Sequence, residues 1–333
     1  MSHCDLVTGA TGCLGSNLVE RLVSEGRKVR VLVPHGEPLG RLHALRRELD
    51  VKHGDVRSAD DVAQAMAGVT RVYNVAGIAV PSNRLERKMW EVNVYGVHNV
   101  VGRAAKVGVE RVVHVSSTAA IGYPPDGVVA SERFRFEDSI TDNAYSRTKY
   151  YGEQVALGFN GAGTDVVVVN PAAVIAPGGD KRFGWSGVID VAMRGLLRVM
   201  PRGGSSFCSA ADLVDGVLGA MRVGKPGERY ILSSQNLTYR ELGNLVAAAV
   251  GVTAPQLTVP SWLLRALAAL NERLLPRERI SVLVPENVAL MTRTLYYDQS
   301  KAVRELGISQ TPVATALGLV NEWIRSEVSH AGI

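Results

Sequence analysis

Two clusters in this 333-residue chain have residue types and spacings suited to chemistry. The run Tyr145-Ser146-Arg147-Thr148-Lys149 sets a phenol and an ammonium group four positions apart, which a helix would bring onto one face. The run Thr8-Gly9-Ala10-Thr11-Gly12-Cys13-Leu14-Gly15 places glycines at Gly-x-x-Gly-x-x-Gly spacing between an apolar strand pattern and a helical one. In that context glycines allow a tight turn and close approach of backbone to a pyrophosphate, and the helix start offers free N–H groups to the phosphates. A serine pair, Ser116-Ser117, lies between the two clusters. Taken in this order they predict transfer of a hydride to or from a nicotinamide cofactor.

The proton chemistry follows from pKa values. A free phenol titrates near pH 10, so only about one in a thousand is ionised at neutral pH, and bringing it near 7 takes about 4 kcal/mol. A lysine cation about 4 Å away supplies that order of energy at an effective dielectric near 20. Tyr145 is therefore the expected general acid in carbonyl reduction, or the base in alcohol oxidation. Lys149 is expected to lower its pKa and to hold the ribose hydroxyls. The Ser117 hydroxyl is expected to position the substrate oxygen, with Thr118 as a neighbouring alternative. Asn93 reads either as the residue that orders a helix bend and a water path for protons or as a buried structural amide.

For the dinucleotide, the expected contacts are Gly9, Thr11, Gly12, Cys13, Leu14 and Gly15 at the turn. Val75, Ala76 and Gly77, at the end of a strand in small residues, would lie against the cofactor, as would Tyr145, Lys149 and Pro171. Asp55 in Gly54-Asp55-Val56 could accept from the adenine amino group or simply cap a turn; Val56 lies beside it. An NAD site usually carries a carboxylate at the end of the second strand. Here that place is Val33-Pro34-His35, with Glu37 beyond it. His35 and Arg41 could meet a 2′-phosphate, which favours NADP over NAD.

These groups need a scaffold. Strand patterns at Cys4–Thr8, Val29–Val33, Val51–His53, Arg71–Val75, Val112–Ser116 and Asp165–Asn170 alternate with helical patterns at Leu14–Glu25, Arg84–Lys106 and Tyr145–Phe159. The alternation predicts an α/β fold with a Rossmann-like, doubly wound parallel sheet over residues 1–177. Beyond Pro177 shorter, interrupted elements suggest a smaller C-terminal substrate lobe over 178–333, with about 205–233 returning to the main sheet through Arg229-Tyr230-Ile231-Leu232. Ser261–Leu275 carries Leu263, Leu267, Leu270 and Leu274 at helical spacing, with Trp262 and Leu264 beside them. A core-facing helix is the preferred reading; a membrane surface or an apolar substrate entrance are the alternatives.

Composition narrows the classes further. A hydrophobic share of 46% with 34 glycines fits a globular α/β protein. The net charge of +5 suits an anionic cofactor, and its dispersed cations give no nucleic-acid stripe. Three cysteines and scattered histidines offer no metal-ligand spacing, so no metal is expected. The absence of a leader pattern and of a long apolar run, with this cysteine usage, points to the cytoplasm.

With these motifs in hand, the chain resembles the short-chain dehydrogenase/reductase superfamily in its extended branch. The resemblance rests on Thr8–Gly15, Gly54-Asp55-Val56, Asn74–Gly77, Asn93-Val94-Tyr95-Gly96, Ser116-Ser117, Tyr145-x-x-x-Lys149 and Asn170-Pro171. Gly227–Leu232 and Tyr297–Ala302 are similar to the C-terminal lobe of its dihydroflavonol reductase, 3β-hydroxysteroid dehydrogenase and hopanoid-associated epimerase-like group. The resemblance implies a substrate cleft shared with that lobe and a homodimer formed through the helices holding Asn93 and Tyr145. Several positions depart from the pattern. Pro34 stands where this group commonly has Arg, and Ala176-Pro177 replaces a Gly-Pro. Ser205-Ser206-Phe207-Cys208-Ser209 lacks the Arg and His of sugar-nucleotide members, and Ala119-Ala120 replaces the Asp-Glu of 4,6-dehydratases. The favoured function is NADPH-dependent reduction of a ketone or aldehyde, or the reverse oxidation, on a hydrophobic small molecule that Ile78, Ala79, Tyr123, Phe183 and Trp185 could receive. A nucleotide-sugar epimerase with tightly bound NAD is the second reading, and a non-catalytic dinucleotide sensor the third.

Overall fold

Valine-rich runs become the centre of the fold. The computed structural model describes residues 3–80, 82–178, 185–274, 276, 281 and 283–330. Its main sheet has seven parallel strands: β1 (Cys4–Thr8), β2 (Lys28–Val33), β3 (Leu49–His53), β4 (Arg71–Asn74), β5 (Arg111–Val115), Asp165–Pro171 and Arg229–Leu232. From one edge the order is Arg229–Leu232, Asp165–Pro171, β5, β4, β1, β2, β3. Val166, Val167, Val168 and Val169 are all fully buried, as strands covered on both faces require. One covering layer is built on Leu18, Leu22, Leu213 and Val217, the other on Val62, Val97, Val100 and Ala104. The chain winds outward in one direction through β2 and β3 and in the other through β4 and β5. The reversal between β1 and β4 opens a crevice at the carboxyl ends of the strands, where open α/β sheets bind ligands. This is the expected Rossmann-like α/β fold.

A second sheet joins Gln235–Thr238, Gly204–Ser209, Thr294–Tyr297 and Val129–Ala130 in that order, with Ala173–Ile175 pairing Gly204–Ser209. Helices 239–250 and 313–330 cover it through Phe207, Leu242, Val246, Val313 and Leu317. The segment 205–233 is thus divided. Its first strand belongs to the second sheet, the helix Ala210–Val223 packs on the main sheet, and Arg229–Leu232 forms the edge of the main sheet.

Two elements differ from expectation. The helix read over Arg84–Lys106 is interrupted: α-helix Glu86–Trp90 passes through a π-helical stretch, Glu91–Gly96, before Val97–Val107 resumes the α-helix. The widened turn pushes the Asn93 carbonyl against the helix Ala144–Gly158, where a Cβ at Gly152 would lie 2.0 Å from that oxygen. Helical periodicity cannot reveal one extra residue in a turn. The second correction concerns Ser261–Leu275. The described helix, Ser261–Leu274, buries only Ala268, while Trp262, Leu263, Leu267, Leu270 and Leu274 face outward. The core-facing reading of this stripe is therefore overturned; Leu275 lies outside the described residues.

Candidate active site

The site begins with a hydroxyl at the end of β1. Thr8 Oγ1 accepts from the backbone N–H groups of Val75 and Ala76, both at 3.1 Å, and donates to Asn74 Oδ1 at 2.8 Å. The Asn74 amide in turn donates to Nδ1 of the buried His114 at 3.2 Å. Burial pushes the His114 imidazole down to about 3, so it serves as a neutral acceptor. This network fixes the small-residue end of β4 against the glycine turn. A Cβ on Gly9, which sits at φ +64°, would lie 2.7 Å from Ala76 backbone atoms, and one on Gly15 would lie 2.1 Å from the Gly9 carbonyl oxygen. Gly12 caps the helix Cys13–Ser24 with no side-chain hydrogen bond, leaving that N-terminus to accept an anion.

The crevice is a cleft of about 780 Å³, within the roughly 300–1,000 Å³ range of small-molecule sites. Gly9, Thr11, Gly12, Cys13, Leu14 and Gly15 line one end. Asp55 and Val56 line it further along, as do Val75, Ala76 and Gly77. Ser117, Tyr145, Lys149 and Pro171 line it as well, as expected from the sequence. Glycines whose missing Cβ atoms keep the cradle open, beside an uncapped helix N-terminus, fit a dinucleotide. A Gly15→Ala variant overpacks the turn by about 1–3 kcal/mol and is expected to weaken dinucleotide binding at least about tenfold in titration calorimetry. Gly12→Ala, whose Cβ would stand 3.4 Å from the Gly9 oxygen, should leave the turn folded and weaken binding instead by crowding the phosphates. A Gly15→Ala affinity equal to the parent's would contradict this reading of the turn.

Three expected residues stand off the cleft wall. Arg41 donates to Glu20 at 2.9 Å and to the Pro177 carbonyl oxygen at 3.2 Å. His35 is exposed, its Nε2 3.8 Å from Asp61. The residues past β2 that do line the cleft are Pro34 and Glu37, and the Thr11 hydroxyl donates to the Glu37 carboxylate. Asp55 is clasped by Arg57, whose Nη2 is 2.7 Å from Oδ2, and this holds the carboxyl below its ordinary range. Arg57 also reaches Glu91 at 3.2 Å. Neither His35 nor Arg41, the residues expected at a 2′-phosphate, is therefore on the cleft wall.

Asn93 is the third. Its side chain accepts from the Ile78 N–H at 2.8 Å and donates to the Ile78 carbonyl at 3.1 Å and to Thr148 at 3.2 Å. It ties the wall residue Ile78 to the helix that carries Tyr145. That helix, Ala144–Gly158, starts with a capping box in which Asn143 and Ser146 bond each other's backbone N–H groups. Ser146 of the Tyr–Lys run is therefore a capping residue.

Burial raises the phenol of Tyr145, and the Ser117 hydroxyl is the group that lowers it. The Ser117 Oγ also accepts from the Ala119 N–H at 3.1 Å, capping the short helix Thr118–Ile121. Thr118 instead acts on the phenol of Tyr297. Lys149 is buried; its Nζ donates to the Val115 carbonyl at 3.1 Å, and burial pushes its pKa down to about 8 against the opposing charge of Glu153. Lys149 lines the same cleft as Tyr145, and the Ser117 hydroxyl is the neighbour whose hydrogen bond opposes the effect of burial on the phenol.

Glu153 escaped the sequence reading. It is fully buried, accepts from Asn170 Nδ2 at 2.6 Å and pairs with Arg229 at 3.1 Å. The same Asn170 amide donates to the Ser117 carbonyl at 3.0 Å, so one network joins the serine, the lysine's counter-charge and the edge strand. Glu153 does stand four residues after Lys149, a spacing that reads equally well as a solvated face.

Among the possible substrate contacts, Ile78 and Ala79 line the cleft together with Ala172 and Val174. Tyr123 is buried beside Tyr145 among Ile121, Ile231 and Tyr297 rather than on the wall. Phe183 lies outside the described residues, and so does the Trp185 side chain. Among the described residues no group of histidine, cysteine and carboxylate side chains could hold a metal ion, and no helix is long and apolar enough to cross a membrane.

Residues 6–233 match the model of the NAD dependent epimerase/dehydratase family. A protein of Synechocystis named putative dihydroflavonol 4-reductase is 34% identical, over 98% of this chain and 96% of that protein. Sterol demethylase protein B of Methylococcus capsulatus is 32% identical, over 96% of this chain and 98% of its own. Among solved structures, the crystal structure of gox2253 superposes with a TM-score of 0.82 at 27% identity, covering 98% of this chain and 99% of the other.

Proposed function

This chain belongs to the NAD dependent epimerase/dehydratase family, the extended short-chain dehydrogenase/reductases, and from that premise we propose that it reduces a ketone on a hydrophobic cyclic molecule, or oxidises the corresponding alcohol. The observation that carries this reading is the single cleft that holds Ser117, Tyr145 and Lys149 together with the glycine turn and an apolar wall of Ile78, Ala79, Ala172 and Val174. The relatives named for dihydroflavonol reduction and sterol demethylation support it, since both names denote compounds built on fused rings.

In this mechanism the glycine turn and helix N-terminus hold the dinucleotide phosphates, and Lys149 holds its nicotinamide-side ribose. Reduced nicotinamide, when bound, supplies the hydride. Tyr145 Oη gives its proton to the substrate oxygen, and Ser117 Oγ orients that oxygen. Asn93 keeps Ile78 in register with the Tyr145 helix. The homodimer implied by the family resemblance would use the same helices, where Tyr95 and Tyr151 are exposed.

We further propose NAD(H) as the cofactor. The carboxylate on the wall past β2 is Glu37, and Arg57, which also lines the cleft, is engaged by Asp55 and Glu91. A 2′-phosphate would need a cation with free donors and would instead meet a negative group. A screen of apolar cyclic ketones and their alcohols, followed by the near-ultraviolet band of reduced nicotinamide, tests both points. Net oxidation of added NADH is expected, with kcat/KM at least about tenfold above that with NADPH, and Glu37→Gln is expected to narrow the gap. NADPH used as well as NADH would refute the cofactor reading. Tightly held NAD with no net change would favour the epimerase, and binding without turnover the sensor.

A further inference from the structure

The helix Ser261–Leu274 is attached to the protein along one narrow stripe. Ala268 is buried, Leu264 and Asn271 are half-buried, and the Asn271 amide donates to the Leu283 carbonyl at 2.7 Å. The rest of the helix is open, and what it presents is apolar: Trp262 is 70% exposed and Leu274 73%, with Leu263, Leu267 and Leu270 exposed between them. The apolar surface continues beyond the helix start. Leu257 pairs in register with Val199, both side chains are exposed, and Leu196 beside them is exposed too. The Val259 N–H donates to the Met200 carbonyl at 3.1 Å, which holds this strand pair against the base of the helix.

The charges on this face are one-sided. Across 196–200 and 256–274 the exposed charged residues are Arg198, Arg265, Arg273 and Glu272; at about 100° per residue Arg265 and Glu272 project from the side of the helix opposite the leucine stripe, which leaves Arg273 and Arg198 beside it. A second copy of the chain docked face to face would set these arginines against their own counterparts. An anionic phospholipid surface complements Arg198 and Arg273, and a Trp- and Leu-rich face with these arginines at its margin has the composition of a helix that lies in a bilayer interface.

The position of the face adds a third argument. Arg84 donates to the carbonyl oxygens of Glu272 and Pro276, both at 2.9 Å, at the end of the helix. Next to it, the Asn83 N–H donates to Glu286 at 2.7 Å, and its side-chain oxygen accepts from the Ala144 N–H at 2.9 Å, one residue before Tyr145. The segment that leaves the cleft wall at Ile78 and Ala79 thus joins the exposed helix to the start of the catalytic helix. We infer that helix Ser261–Leu274 with the Val199–Leu257 strand pair docks on an anionic phospholipid bilayer, at the side of the molecule where an apolar substrate would enter the cleft. The apolar substrate belongs to the proposed function; the docking itself does not depend on it.

Vesicle flotation of the full chain tests this without any enzyme assay. Binding to vesicles of phosphatidylcholine mixed with phosphatidylglycerol is expected, at least about tenfold stronger than to phosphatidylcholine alone. Leu267→Asp/Leu270→Asp is expected to abolish it, and Arg198→Glu/Arg273→Glu to reduce it at least about tenfold. Both variants should keep the thermal midpoint of the parent and its turnover of a water-soluble ketone. Failure of the parent to float, or flotation of the Leu267→Asp/Leu270→Asp variant equal to the parent's, would overturn the inference. So would an oligomer in sedimentation velocity that this variant dissolves, which would assign the face to a second copy.

Discussion

Replacing Tyr145 by phenylalanine is expected to lower kcat for carbonyl reduction by about a thousandfold, within the 10²–10⁴ span of general acid catalysis, while the dinucleotide dissociation constant changes less than about threefold. The substitution removes one oxygen and leaves the ring, which packs partly buried against the Ile121, Ile231 and Tyr297 cluster. Stability should therefore hold, since volume-conserving changes cost little. The hydroxyl is the proposed proton source, and Ser117 is the neighbour whose hydrogen bond lowers its pKa. A Ser117→Ala variant should consequently also lose activity, with its alkaline limb displaced to higher pH, because the phenol rises when that hydrogen bond is removed. Tyr145→Phe retaining a tenth or more of the parent turnover would remove Tyr145 from the proton transfer.

How much of this site the sequence disclosed depends on how local each signal is. The glycine turn and the Tyr145–Lys149 pair are spacings within one turn or one helix, and both sets line the cleft. The strands were legible because β-branched runs buried on both faces have few alternatives. The Thr8–Asn74–His114 network has no such local mark: its bonds join residues 66 and 40 positions apart, and each partner alone reads as an ordinary polar residue in a strand. Arg41 shows the opposite failure. It looked available for a phosphate, yet it is engaged by a carbonyl oxygen 136 positions away, which nothing near it in the chain announces. The leucine stripe after Ser261 was visible, but its periodicity cannot say whether anything covers it.

Glu153 combines both kinds of signal, and its removal has the largest structural consequence expected in the site. Glu153→Ala would leave Arg229 without its carboxylate partner and the Asn170 amide without one acceptor, in a place with no solvent for the carboxyl group it replaces. Breaking a buried pair from one side costs about 3–5 kcal/mol, so a pronounced drop in thermal midpoint is expected. Glu153→Gln separates charge from shape: the amide fills the same space and can still bond Asn170, so the protein should fold. What it loses is the negative charge that opposes the desolvation of Lys149. The lysine, already pushed down to about 8, should fall further, and its cationic form should vanish at a lower pH. If Tyr145 and the ribose both depend on that cation, the alkaline limb of kcat/KM moves toward neutrality by about one pH unit, while a merely structural glutamate would change stability and leave the profile in place. Superimposable pH profiles for Glu153→Gln and the parent would show that Arg229 and Asn170 are its only business, and that the lysine is held charged by something else.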